Sequence, residues 1–152
     1  MYGPELNRKL DVDAEILVTQ GANQGIALAM QTFIEPGDEV ILIEPFFDIY
    51  KPAIEVCGGK VVSVPLRLTK AFVNRISAND WTLNIDELES KITSKTKGLM
   101  LNNPHNPTGK VFTMDELGEI AHVAKKHNLV IFSDDVVISQ MHLVRRYPPL
   151  IV

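Results

Sequence analysis

The stretch Asn102-Asn103-Pro104-His105-Asn106-Pro107-Thr108-Gly109-Lys110 decides how the rest of the chain reads. Its prolines and its glycine exclude both a helix and a central strand. The apolar run Gly98-Leu99-Met100-Leu101 precedes it, and an amphipathic pattern follows. The order is therefore strand, rigid turn, helix. Each proline pushes the residue before it toward extended backbone, so Asn103 and Asn106 are both restricted and Asn106 becomes a pre-aimed amide. In isolation an Asn-Pro pair marks only a turn; here its neighbours add to it.

Downstream, Thr113-Met114-Asp115-Glu116 is a capping box, and Leu117, Ile120, Ala121 and Ala124 form the buried stripe of a helix ending near His127. Leu129-Val130-Ile131-Phe132 reads as a strand closed by Ser133-Asp134-Asp135. Upstream, residues 15–19 carry the β-branched content of a short strand, and Gly21-Ala22-Asn23-Gln24-Gly25 opens a helix that Glu35-Pro36-Gly37-Asp38 stops. Residues 39–43 are apolar almost throughout, the signature of a strand covered on both faces. Residues 45–59 give a turn and a helix bearing Tyr50, Ile54 and Cys57, and residues 60–65 another strand. No period is visible in residues 66–82, which are expected to form a surface excursion anchored by Trp81. Asn84 with Glu87 marks a helix start, with the helix running to about residue 93.

Strands that alternate with helices, and are apolar rather than alternating, predict an α/β fold: three layers, a mainly parallel sheet, helices on both faces. A chain of 152 residues is long enough to bury a sizeable core. Its net charge of −4 offers no basic footprint for nucleic acid or an anionic membrane. Cys57 is the single cysteine, so no internal disulfide framework exists and a reducing compartment is expected. No apolar run approaches the ~18 residues of a membrane helix, and no metal-ligand cluster stands out.

In open parallel sheets, ligands bind beyond the carboxyl ends of the strands. The turn at Gly21-Ala22-Asn23, the aromatic pair Phe46-Phe47, Asn106 and Asp134 all fall at such ends. Gly21 and Ala22 are small residues at a helix N-terminus, where backbone N–H groups can hold a phosphate; a plain tight turn explains them equally well. Gly21 and Gly25 lack the spacing of a dinucleotide fingerprint. Phe47 can stack on a planar ligand or simply fill the core. Asp134 closes a hydrophobic strand, where a carboxylate has few structural reasons to stand and can pair with a protonated ring nitrogen. It or Asp135 could otherwise cap the next turn.

Taken together, Val18-Thr19-Gln20-Gly21-Ala22-Asn23-Gln24-Gly25, Glu44-Pro45-Phe46-Phe47-Asp48-Ile49-Tyr50, Asp80-Trp81-Thr82-Leu83, Asn103-Pro104-His105-Asn106-Pro107-Thr108-Gly109-Lys110 and Ser133-Asp134-Asp135-Val136 resemble the large domain of fold-type-I pyridoxal-phosphate aminotransferases of class I/II. Within that class they are most similar to the kynurenine aminotransferase and cysteine-S-conjugate β-lyase group. The resemblance implies pyridoxal 5'-phosphate as cofactor, amino-group transfer between an amino acid and a 2-oxo acid, a homodimer, and a cytosolic or mitochondrial location. It implies that Gly21, Ala22 and Asn23 contact the phosphate and face the substrate, and that Phe47 stacks on the pyridine ring. Asn106 would bond the phenolic oxygen near the substrate carboxylate, and Asp134 would pair with the ring nitrogen.

Departures accompany the resemblance. Where the family carries a tyrosine three residues after the ring-binding aspartate, this chain has Val137. Residues 138–152 do not resemble the family, which divides the chain into a partial cofactor-binding domain, 1–137, and a divergent tail, 138–152. The family's Schiff-base lysine, a phosphate-binding basic residue and the carboxylate-binding arginine would all lie downstream of Val152, and Lys110 belongs to the turn rather than replacing that lysine. No catalytic residue is therefore assigned to this chain, and it is expected to be inactive alone. Two other readings are a catalytically dead remnant that binds the cofactor weakly or pairs with a full-length subunit, and an unrelated nucleotide-binding α/β domain.

Overall fold

A computed structural model describes residues 8–69 and 76–136. The elements run α1 (Ala22–Phe33), β1 (Glu39–Glu44), α2 (Tyr50–Val56), β2 (Lys60–Leu68), β3 (Trp81–Leu83), α3 (Ile85–Ser90), β4 (Thr96–Asn102), α4 (Met114–Lys126) and β5 (Val130–Asp134), with a 3-10 turn at Ala78–Asp80. Five strands form one sheet in the order β3-β2-β1-β4-β5. All neighbours are parallel except β2 and β3. This is the α/β architecture that the sequence predicts.

The layers follow from strand alternation. Val40 and Leu42 of β1 point to one face, where they join Met30 and Ile34 from the α1 side, Tyr50 and Ile54 of α2, and Met100 and Phe132. Ile41 and Ile43 point to the other, with Val64, Leu66, Leu88 of α3, Leu99, Leu101, Phe112 and the α4 stripe Leu117, Ile120 and Val123. Since β1 is covered on both sides, its whole centre is buried. Val123, not Ala121, completes the α4 stripe, because Ala121 sits at the stripe's margin, half-buried. Gly98 in β4 is required by proximity: a Cβ there would lie 2.6 Å from the Val130 carbonyl oxygen.

Helix starts obey their caps. The side chains of Thr113 and Glu116 form the reciprocal box at the head of α4, and Asn84 caps α3 by accepting from the Glu87 N–H. By contrast α3 ends at Ser90, short of residue 93, with Lys91 as its C-cap. Beyond it the chain turns, and the Thr93 N–H is taken by the Thr96 hydroxyl instead of a helical carbonyl.

Two further expectations are corrected. Residues 66–68 are no excursion: they extend β2 and pair antiparallel with β3 through Leu66↔Leu83, Arg67↔Thr82 and Leu68↔Trp81. The apolar residue Leu66 is buried, and Arg67 reaches Glu87 at the start of α3 in an ion pair, so the ladder is anchored from both faces. Conversely, residues 15–19 form no strand. Leu17 is 73% exposed and Val18 91%, because a strand needs a neighbour and none of the described residues pairs with this segment. Of the proposed division at residue 137, everything from Val137 onward lies outside the described residues.

Candidate ligand site at the carboxyl ends of the strands

Parallel pairing aligns the ends of β1, β4 and β5, since Asn102 is in register with Asp134. The chain exits β1 through Glu44-Pro45 into the turn holding Phe46 and Phe47, exits β4 into the residue 102–110 turn, and ends β5 at Asp134. The peptides before Pro45, Pro104 and Pro107 are all cis.

The 102–110 turn is tied down by its own polar side chains. Asn102 Nδ2 donates to the Asp134 carbonyl at 2.9 Å while Asn102 Oδ1 accepts the Asn106 N–H at 2.7 Å. Asn103 offers its N–H to the same Asp134 carbonyl, and its Oδ1 accepts the buried Phe112 N–H at 3.1 Å. His105, 3% exposed, has Nδ1 2.8 Å from the Thr108 hydroxyl and Nε2 3.4 Å from the Ile43 carbonyl oxygen. The carbonyl can only accept, so Nε2 carries the proton and Nδ1 receives the Thr108 O–H. Burial drives the His105 pKa down and the nearby Lys110 charge adds to this, against the pull of the Ile43 carbonyl. Lys110 is itself buried: its Nζ donates to Glu116 at 2.7 Å and to the Trp81 carbonyl at 2.9 Å. That engagement places Lys110 in the turn's foundations, as its position in the motif implied. Asn106, its N–H held by Asn102, is exposed and does not line the cleft at Asp134.

Asp134 is the junction. Its Oδ2 accepts the Tyr50 hydroxyl at 2.6 Å and its Oδ1 accepts the Val136 N–H at 3.1 Å. Tyr50 stands edge-on to Phe47, ring centroids 5.8 Å apart at 80°. Phe47 and Asp134 are therefore brought together through Tyr50. On its other side Asp134 lines a cleft of about 650 Å³ with Ala22, Thr19, Leu17, Ile26 and Met30. Gly21 enters α1 with φ 84°, a conformation natural to glycine, and no side chain caps this helix end. Neither is there an acidic residue in the first turn, so its N–H groups and the helix dipole are available to an anion. Asn23, exposed, lines a separate groove between α1 and α2, away from the Asp134 cleft.

Tyr50 was legible in the sequence only as a core aromatic, and Asn102, Asn103 and His105 only as turn residues. The offset of three from Phe47 to Tyr50 across a helix start was the one available signal. Among the described residues no group of acidic, His and Cys side chains could hold a metal ion, and no helix is long and apolar enough to cross a membrane.

The chain is thus an α/β domain with a cleft at the carboxyl ends of its parallel strands, where the uncapped start of α1 meets the Asp134 carboxylate; Phe47 lies outside that lining and connects to Asp134 through Tyr50. The aminotransferase class I and II family profile matches residues 2–139, and the chain belongs to that family. It is 47% identical over 137 residues to the probable kynurenine–oxoglutarate transaminase BNA3 of Saccharomyces cerevisiae, covering 90% of this chain and 31% of that protein. It is 44% identical to human kynurenine–oxoglutarate transaminase 3, with coverage of 90% and 30%. The crystal structure of yeast Bna3p superposes with a TM-score of 0.84 at 47% identity, covering 89% of this chain and 32% of that one. Cystalysin from Treponema denticola, solved with pyridoxal 5'-phosphate, superposes with a TM-score of 0.72 at 28% identity, covering 84% and 30%. The chain thus spans about a third of the length of these relatives. The nucleotide-binding reading has no support in these matches.

Proposed function

We propose that this chain supplies the ring-binding and phosphate-facing wall of a pyridoxal-phosphate aminotransferase, the whole enzyme moving an amino group between an amino acid such as kynurenine or glutamine and a 2-oxo acid. The observation that carries this reading is Asp134, held at the head of a cleft that also receives the uncapped start of α1 and linked to Phe47 through Tyr50. When bound, the cofactor supplies an electron sink for the substrate's Cα–H bond.

The chain's own residues act around it. Ala22 would present its N–H to the phosphate, while Gly21, whose own N–H is taken by the Thr19 carbonyl, would allow the backbone to approach it closely; Asn23 would reach the substrate side from the α1–α2 groove, and Phe47 would cover one ring face. Asn106 would donate its amide to the phenolic oxygen and lie near the substrate carboxylate. The Asp134 carboxylate would hold a proton on the ring nitrogen and so sustain the positive charge that the chemistry needs. The donor set fits the group: an anion-binding helix start, an aromatic and a carboxylate match its phosphate, ring and nitrogen. In this reading residues 1–137 are the cofactor-binding part and 138–152 a divergent tail, the whole enzyme is a homodimer in cytosol or mitochondrion, and β-elimination from cysteine conjugates is its companion activity.

Titration of the chain with pyridoxal 5'-phosphate, followed by borohydride reduction and peptide mapping, tests the proposal. The expected result is reversible binding that Asp134→Ala and Asn106→Ala weaken, without a stoichiometric pyridoxyl-lysine. Binding indifferent to both substitutions, or a single stoichiometric lysine adduct, would overturn it.

A further inference from the structure

Tyr50 opens α2 and is 2% exposed within a cluster of Met30, Leu42, Ile54 and Met100. Phenylalanine would fill that volume equally well and would need no partner, so the hydroxyl is the part of this residue that packing does not explain. It finds its acceptor 84 positions along the chain, on Asp134 Oδ2 at 2.6 Å. The Val136 N–H holds the other oxygen, Oδ1, at 3.1 Å. Two donors from different elements thus fix the carboxylate plane, and each oxygen keeps a lone pair for a further donor. The same tyrosine is bound to the Phe47 turn twice over, by its N–H donating to the Phe47 carbonyl at 3.2 Å and by the edge-to-face ring contact.

We propose that Tyr50 is a positioning residue that locks Asp134 in register with Phe47, so that a protonated aromatic nitrogen meets the carboxylate edge-on while the ring face meets Phe47. This rests on the reading of Asp134 given above. The ligand class is a planar aromatic N–H cation, and the discrimination is against a ring of the same shape without the nitrogen. Burial, and then the bond to Asp134, push the phenol well above its ordinary pKa of 10, so Tyr50 remains a donor throughout the working pH range.

The test compares pyridoxal 5'-phosphate with its 1-deaza analogue, titrated against the chain, Tyr50→Phe, Asp134→Asn and the double variant. Tyr50→Phe keeps the ring and its packing. It is expected to weaken the nitrogen-bearing ligand about tenfold, the worth of one hydrogen bond to a charged acceptor, and to move the analogue less than about twofold. In the Asp134→Asn background the same substitution is expected to add almost nothing. Equal weakening of both ligands would reveal a merely structural tyrosine and overturn the proposal, as would equal affinity of Tyr50→Phe and the parent chain for both. A parent chain that binds neither ligand overturns the site reading itself, and this inference with it. A ligand-free measurement covers failure of the variant to fold: the Tyr50 hydroxyl proton of the parent chain should be a slowly exchanging downfield NMR signal that Asp134→Asn displaces. An undisplaced signal would overturn the proposal.

Discussion

The two sides of Asp134 are built differently. Toward β4 and β1 lies the 102–110 turn, in which Asn102, Asn103, His105 and Lys110 are all buried and each has a named partner. Toward α1 lies the segment of residues 15–21, where Ile16, Leu17 and Val18 are exposed and Thr19 bonds locally, its hydroxyl donating to the Gly21 carbonyl and its carbonyl accepting the Gly21 N–H. One wall is braced by polar side chains in a low-dielectric setting, where each bond is strong and each loss is costly. In the other, Leu17 lines the cleft, and no strand among the described residues pairs with the segment. The wall toward β4 and β1 is thus braced by side-chain hydrogen bonds, and the wall toward α1 is not.

Substitutions that break the braced wall should have the largest effects. Glu116→Ala leaves the buried Lys110 ammonium with only the Trp81 carbonyl and removes half of the Thr113 capping box, and should cost about 3 kcal/mol in urea unfolding. Lys110→Met removes the charge while keeping most of the volume and should cost much less. If the two substitutions destabilise equally, the ion pair is not the brace. Next, Asn103→Ala strips the Phe112 N–H of its acceptor in a buried site, expected at about 2 kcal/mol by the same measurement. Gly21→Ala comes third. A Cβ at Gly21 meets nothing within 4 Å, so only the φ of 84° resists it, and an exposed segment can relax; about 1 kcal/mol is expected. A loss as large as that of Asn103→Ala would show the α1 entrance to be as rigid as the turn.

The contrast also explains what the sequence revealed. The braced wall was legible because its chemistry is local: prolines bound the 102–110 turn and the capping box marks α4 within a few residues. The apolar strands β1, β4 and β5 declared their two-sided burial by composition alone. What escaped depends on contacts distant in the chain. Tyr50 looked like one more core aromatic because its partner is Asp134, and residues 66–68 looked aperiodic because their ladder partners follow a long connection. Residues 15–19 misled in the opposite direction: β-branched composition suits a strand, but the ladder that makes one requires a second chain segment.

Acid distinguishes the walls most finely. His105 is held neutral, with a pKa below its ordinary 6.5, so the native state binds fewer protons than the unfolded chain. Stability should therefore fall as pH drops through 6.5 toward the lowered native value, and His105→Gln should flatten that slope. On the open side, Glu15 is held down at about 2 by the Arg8 guanidinium and by the Asp11 N–H. Its contribution is present above the ordinary carboxyl value of 4.5 and is lost as pH falls from there toward 2. The pair is solvent-exposed, so salt should erase the effect, and Glu15→Gln should change the melt only slightly at neutral pH. The His105 slope should survive the same salt because its causes are burial and fixed neighbours. Urea melts from pH 7 to 3 at low and high ionic strength compare the two directly. A salt-sensitive loss near pH 6, or a salt-resistant one near pH 3, would mean that the braced and open walls have been assigned the wrong way round.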